Sequence, residues 1–161
     1  MKAVKIGVLG LGTVGGGVVN ILKRNAKEIS RRAGREIIVT CASARDISKE
    51  RICDTQNIEL TTNSLEIINN PDIDIVLELI GGTTLAKDLM LQAIDNGKHI
   101  VTANKALIAL HGNEIFAIAS EKGVMVLFEA AVAGGIPIIK AIREGLSGNQ
   151  IEWLAGIING T

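Results

Sequence analysis

GVLGLGTVGGGVVNILKRN, from Gly7 to Asn25, joins an apolar run to a helix-like pattern through five glycines, Gly10, Gly12, Gly15, Gly16 and Gly17. Glycine loses the most backbone freedom on folding, so its use here implies that something needs the missing side chains. Upstream, Val4 to Leu9 is a short apolar run bounded by glycine and reads as a buried strand. Downstream, Thr13 to Ala33 places Val14, Val18, Ile21, Leu22 and Ile29 near helical spacing. Gly10, Gly12 and Gly15 thus fall in G-x-G-x-x-G spacing where a strand ends and a helix opens.

That context suits a dinucleotide. The first glycine permits the tight turn, the second lets a pyrophosphate approach the backbone, and the third lets helix and strand pack closely. The phosphates would meet unpaired N–H groups and the positive end of the helix dipole. The competing reading is a turn that merely favours glycine. Gly16 and Gly17 lie beyond the fingerprint and find no explanation in the sequence.

The same alternation continues outward. Glu36 to Ala42 is β-branched and predicts a second strand, and Arg45 to Thr61 reads as loop with some helix. Thr62 or Asn63 caps a short helix ending at Asn69. Asp74 to Ile80 reads as a strand, Thr83 to Asn96 as a helix stopped by Gly97, and His99 to Thr102 as a strand. Asn104 to Lys122 predicts one or two helices broken near Gly112. Val124 to Glu129 predicts a strand, Ala130 to Gly135 a loop of small residues, and Pro137 the first turn of a helix running to Leu146. Gln150 to Ile158 reads as a last strand. Near-continuously apolar strands alternating with helices imply an α/β protein, a doubly wound and mainly parallel sheet with helices on both faces.

Composition narrows the function. Seventeen basic residues balance seventeen acidic ones, which argues against nucleic acid or an anionic membrane as partner. Aromatics are 2% of 161 residues, too few for base-stacking platforms. Cys41 and Cys53 form no C-x-x-C pair and read as buried thiols in a reducing compartment. No apolar run reaches the roughly 18 residues of a membrane span. The start, Met1 to Ile6, enters a strand pattern with no signal-peptide character, so a cytoplasmic location is expected.

The tip of the second strand bears on which nucleotide binds. NAD sites place an acidic residue there for the ribose 2′-hydroxyl. Here the run is Cys41-Ala42-Ser43-Ala44-Arg45, and Asp46 comes too late. Arg45 suits a 2′-phosphate and hence NADP, by charge-assisted hydrogen bonds. Its competing reading is a solvated loop charge.

Five stretches carry a family resemblance: GLGTVGGGV at the front, ELIGG (Glu78–Gly82), VTANKALIA (Val101–Ala109), FEAAVAGGIPII (Phe128–Ile139) and GIINGT (Gly156–Thr161). Together, in this order, they resemble homoserine dehydrogenase over the whole chain. The resemblance implies a Rossmann-type dinucleotide-binding domain over 1–161 and an NAD(P)-dependent oxidoreductase interconverting L-homoserine and L-aspartate 4-semialdehyde, on the route to threonine, methionine and isoleucine. It implies cofactor contacts at Gly10, Gly12, Thr13, Val14 and Gly15, with Arg45 at the 2′-phosphate and Gly81, Gly82 and Lys105 by the nicotinamide half.

Lys105 follows a strand end, where open α/β sheets bind ligands. Alone it reads as solvated. By resemblance it is the catalytic lysine, an ammonium beside a carbonyl that becomes an oxyanion, able also to pass a proton. EAAVAGG likewise has two readings. The residues suggest a turn with close helix packing. The resemblance implies a monovalent cation such as Na⁺ on Glu129 and the carbonyls of Val132, Gly134 and Ile136, and oxygen ligands suit a hard cation.

The family continues past the last motif into a domain holding substrate contacts, a second functional lysine and a dimer interface. The strand from about residue 150 is therefore expected to lead toward a substrate and dimerisation domain absent from this chain, with no kinase fused in front. The full-length enzyme is expected to be a homo-oligomer acting on a small-molecule substrate. The alternative is a module that senses NAD(P)H without catalysis. Another NADP-linked semialdehyde oxidoreductase is disfavoured, because neither cysteine lies at a late strand end.

Overall fold

The computed structural model describes residues 1–157. Six strands form one sheet: β1 (Val4–Leu9), β2 (Ile37–Ser43), β3 (Glu59–Thr61), β4 (Ile75–Glu78), β5 (His99–Thr102) and β6 (Val126–Leu127). Their order is β3-β2-β1-β4-β5-β6, and every pairing is parallel. The order reverses direction between β1 and β4, which opens a crevice beyond the C-terminal ends of those strands. The α/β, doubly wound expectation holds.

The helices are α1 (Thr13–Arg24), α2 (Ala26–Ala33), α3 (Ser64–Asn69), α4 (Thr84–Asp95), α5 (Lys105–Glu121) and α6 (Ile138–Lys140). Consecutive strand residues feed opposite layers. Val8 packs with Leu11, Val19 and Leu77, while Leu9 joins Val76, Met90, Ile94, Leu107 and Ile115. This alternation places a core on each side of the sheet, and it explains why the strands are apolar on both faces.

Several boundaries differ from expectation. The helix expected over Thr13 to Ala33 is interrupted at Asn25, whose N–H bonds to the carbonyls of Ile21 and Lys23. α2 has no buried residue and is laced instead by Glu28 with Arg31 and Arg32, so no packed stripe holds it in line with α1. The Arg45 to Thr61 segment contains a strand, β3, and no helix; three residues paired to Cys41–Ser43 are too short to show a period. α5 runs unbroken through Gly112, which is buried against Phe116. Burial there outweighs the weak helix propensity of one glycine, about 1 kcal/mol.

At the far edge the strand expected over Val124 to Glu129 shrinks to two residues, because Glu129 opens a 3₁₀ turn, Glu129–Ala131. The helix after Pro137 is a short α turn that widens into a π turn over Ala141–Gly145. The strand expected over Gln150 to Ile158 forms no ladder in 150–157: a strand exists by pairing, and β6 at this edge is bonded only to β5. Ile158 and the end of the GIINGT stretch lie outside the described residues.

Candidate nucleotide-binding site

The glycine loop lies at the C-terminal end of β1, at the switch point. Gly10 has a φ of 99°, and a Cβ there would meet the Leu79 carbonyl oxygen at 2.8 Å. A Cβ on Gly15 would stand 2.2 Å from the Gly10 carbonyl oxygen, so the opening of α1 packs directly on the turn. Gly12 is the opposite case. It is exposed, its φ is −90°, and a Cβ would meet nothing within 4 Å. It is bare toward solvent, where a ligand can reach the backbone.

The amides beside it fit a diphosphate. Gly12 is the N-cap of α1 and no side chain caps the helix. The bond from Gly16 N–H to Gly12 C=O, 2.8 Å, opens the helical ladder, so the amides of Thr13, Val14 and Gly15 precede it. No acidic residue stands in the first turn. Unpaired N–H groups at the positive dipole end form an anion cradle.

At the neighbouring strand end, Ser43 is buried. Its carbonyl accepts from Gly10 and Leu11 N–H, and its hydroxyl lies 2.8 Å from that of Ser64. Arg45, two residues on, is exposed and makes no ion pair among the described residues. Asp46 is turned to its own loop: Oδ1 accepts from the Ser48 hydroxyl and N–H, and these bonds hold its carboxyl below the ordinary carboxylate range.

Arg51 is a residue that the sequence did not single out. Its Nη1 donates to Leu11 C=O at 2.9 Å and its Nη2 to the Asp46 carbonyl, so it ties the glycine loop to the segment carrying Arg45. The same segment docks on α1 through Asn20 to Ile52 C=O and Lys23 to Asp54. This explains Gly16, since a Cβ there would strike the Ile52 side chain at 2.6 Å. Cys53 is buried beside it, and Cys41 is buried with its thiol pKa raised chiefly by desolvation.

The ends of β4 and β5 form the other half of the crevice. Gly81 and Gly82 are exposed and take left-handed φ values of 76° and 75°. Glu78, fully buried at the end of β4, accepts from Ile80 N–H (3.1 Å) and Gly81 N–H (3.3 Å) on Oε1. Thr102 Oγ1 donates to Glu78 Oε2 at 2.6 Å and accepts from Asn104 N–H at 3.0 Å. Asn104 caps α5 by accepting from Leu107 N–H, and its Nδ2 donates to Gly82 C=O at 2.6 Å. Lys105 is thereby the first residue of α5, exposed, with no acidic residue in its turn.

The four residues expected around a cation fare differently. Glu129 is turned to the start of α6, where its two oxygens accept from Ile139 N–H (3.0 Å) and Lys140 N–H (2.9 Å). The Ile136 carbonyl accepts from Ile138 N–H at 2.8 Å. Two of the four expected ligands thus already serve protein donors, while Val132 and Gly134 lie between them in the loop. No group of three or more His, Cys, Asp or Glu able to hold a metal occurs among the described residues.

The family model for the homoserine dehydrogenase NAD-binding domain matches residues 10–129, which include the glycine loop, Gly81, Gly82 and Lys105. The chain belongs to that family. It is 66% identical over its full length to a homoserine dehydrogenase of Pseudomonas aeruginosa and 56% identical to one of Neisseria gonorrhoeae, covering 37% of each. A crystal structure of a homoserine dehydrogenase from Thiobacillus denitrificans superposes with a TM-score of 0.93 at 62% identity, over 99% of this chain and 37% of that one. The chain therefore spans a little over a third of the relatives it matches. Among the described residues no helix is long and apolar enough to cross a membrane.

Proposed function

We propose that this chain is the cofactor-binding portion of a cytoplasmic, NADP(H)-preferring homoserine dehydrogenase that interconverts L-aspartate 4-semialdehyde and L-homoserine. The observation that carries the reading is the bare Gly12 N-terminus of α1 at the switch point, with Gly81, Gly82 and Lys105 at the neighbouring strand ends. The amides of Thr13, Val14 and Gly15 hold the pyrophosphate. Arg45 pairs with the 2′-phosphate, supported by the absence of an acidic residue at the tip of β2. Gly81 and Gly82 leave the backbone open for the nicotinamide half.

The bound nicotinamide supplies or accepts the hydride. Lys105 stabilises the negative charge that develops on the aldehyde oxygen during reduction and delivers the proton that completes the alcohol. An ammonium in the first turn of a helix sits at the unfavourable end of the dipole, which favours a chemical over a stabilising role. The same fact weighs against a sensor, which needs no cation there. For a monovalent cation at Glu129, Val132, Gly134 and Ile136 the described geometry offers no support.

Substrate-holding groups come from outside these 161 residues in this reading, and the whole enzyme is a homo-oligomer. Trp153, Leu154 and Ile157 are exposed at 76%, 69% and 95%, consistent with a surface that the rest of the enzyme covers. Two assays on the purified chain test the proposal: fluorescence titration with NADPH, and NADPH oxidation with the semialdehyde. Binding without useful turnover is expected. Failure to bind would remove the cofactor reading, and turnover at an ordinary enzymatic rate, roughly 1–1000 per second, would place the substrate site inside the chain.

A further inference from the structure

We propose that Glu78 is a positioning residue that sets the Gly81–Gly82 turn and Lys105 in fixed relation to each other, and so governs binding of the nicotinamide half of the cofactor. The proposal rests on the cofactor reading above.

The hydrogen bonds at the ends of β4 and β5 close a ring. Glu78 holds the amides of Ile80 and Gly81, Gly82 C=O is held by Asn104, Asn104 N–H is held by Thr102, and the Thr102 hydroxyl returns to Glu78. The Thr102 hydroxyl has one proton. It goes to Glu78 Oε2, which leaves the oxygen to accept from Asn104. Asn104 uses its amide nitrogen on Gly82 and its amide oxygen on Leu107, which starts α5 with Lys105 outermost. The buried Glu78 and Thr102 and the half-buried Asn104 thus each have their donors and acceptors assigned, while the groups they orient, Gly81, Gly82 and Lys105, are exposed.

Stability alone does not explain a carboxylate here. Glu78 is 0% exposed and has no ion-pair partner among the described residues, and burying an unpaired charge is unfavourable. What a carboxylate supplies is acceptance at both oxygens. A glutamine accepts at one. Its amide nitrogen would face either the Ile80 and Gly81 amides or the Thr102 hydroxyl. In the second case Thr102 must turn, and its proton loses its acceptor. Charge-assisted bonds are also shorter and stronger than neutral ones, which suits a group that must hold two strand-end segments in register.

The test is binding of two probes to the 161-residue chain: NADPH, and adenosine 2′,5′-bisphosphate, which lacks the nicotinamide half. Glu78→Gln is expected to weaken NADPH by about tenfold or more while adenosine 2′,5′-bisphosphate changes by less than about twofold. Thr102→Val, which removes the hydroxyl with little change of shape, should act alike. Thr102→Ser, which restores the hydroxyl, should return NADPH affinity to within about threefold of the unmodified chain. If Glu78→Gln does not fold, the Thr102 pair decides by the same criterion. An equal loss for both probes, the mark of a merely structural role, overturns the proposal, and so does unchanged NADPH affinity. If neither probe binds the unmodified chain, the cofactor reading itself falls and takes the proposal with it.

Discussion

Gly15 lies so close to Gly10 that a Cβ on residue 15 would reach 2.2 Å from the carbonyl oxygen of residue 10. The atom it would strike is backbone, which cannot swing aside. Gly15→Ala therefore has to push α1 away from the end of β1. Overpacking of this kind costs about 1–3 kcal/mol, and for a chain of this size each kcal/mol lowers the melting temperature by about 2–4 °C. A calorimetric scan should show that drop, with NADPH affinity falling too. A melting temperature equal to that of the unmodified chain would mean that the helix and strand are not packed as described.

Arg45 should act on the cofactor and on little else. It is exposed with no ion-pair partner among the described residues, so Arg45→Ala should leave the melting temperature unchanged. Loss of charge-assisted bonds to a 2′-phosphate, about 1.5–3 kcal/mol, should weaken NADPH by roughly ten- to a hundredfold. NADH, which has no such phosphate, should bind as before. Parallel calorimetric titrations with the two cofactors read the difference.

Lys105→Ala should be neutral or slightly stabilising in this chain, because it removes a cation from the positive end of α5. Introduced into a chain that carries the whole length of the relatives, it should lower kcat by roughly a hundredfold or more. An active variant would return Lys105 to the role of a solvated lysine.

The segment between β2 and β3 should loosen in acid. The Asp54 carboxyl is held below its ordinary 3.8, first by the Gln56 N–H and then by Lys23, which ties the segment to α1. A depressed carboxyl contributes stability that is fully present above pH 3.8 and lost as the pH falls through the lower folded value. Asp54→Asn should therefore flatten the fall of melting temperature below pH 3.8. Asp46, depressed by its Ser48 bonds, should preserve part of the slope.

Much of this arrangement was legible because it is local. The bounds of β1 and β5, a cap of α3 at Thr62 or Asn63 that falls on Asn63, and the stop at Gly97, with its φ of 71°, follow from patterns a few residues long. The glycine spacing likewise carries its own geometry. What stayed hidden depends on contacts far along the chain. β3 exists only because β2 offers it an edge, and Gly112 sits in an unbroken helix where it is buried against Phe116. Gly16 makes sense only once Ile52 is known to lie over it. Arg51, an unremarkable charge in a polar run, is revealed by its bond to Leu11, 40 residues away. Glu129 also shows a contact that the motif did not reveal: its two oxygens accept from the amides of Ile139 and Lys140.

The most direct test of the account is a titration of the unmodified chain and of Gly12→Asp with NADPH. Aspartate is a favourable N-cap and its charge complements the helix dipole, so the variant should melt at the same temperature or higher. The same charge would stand where the proposed site holds the pyrophosphate, and saturable NADPH binding, expected in the unmodified chain, should weaken by at least about a hundredfold. Undiminished binding by a fully folded Gly12→Asp variant would contradict the assignment of the cofactor to this helix terminus.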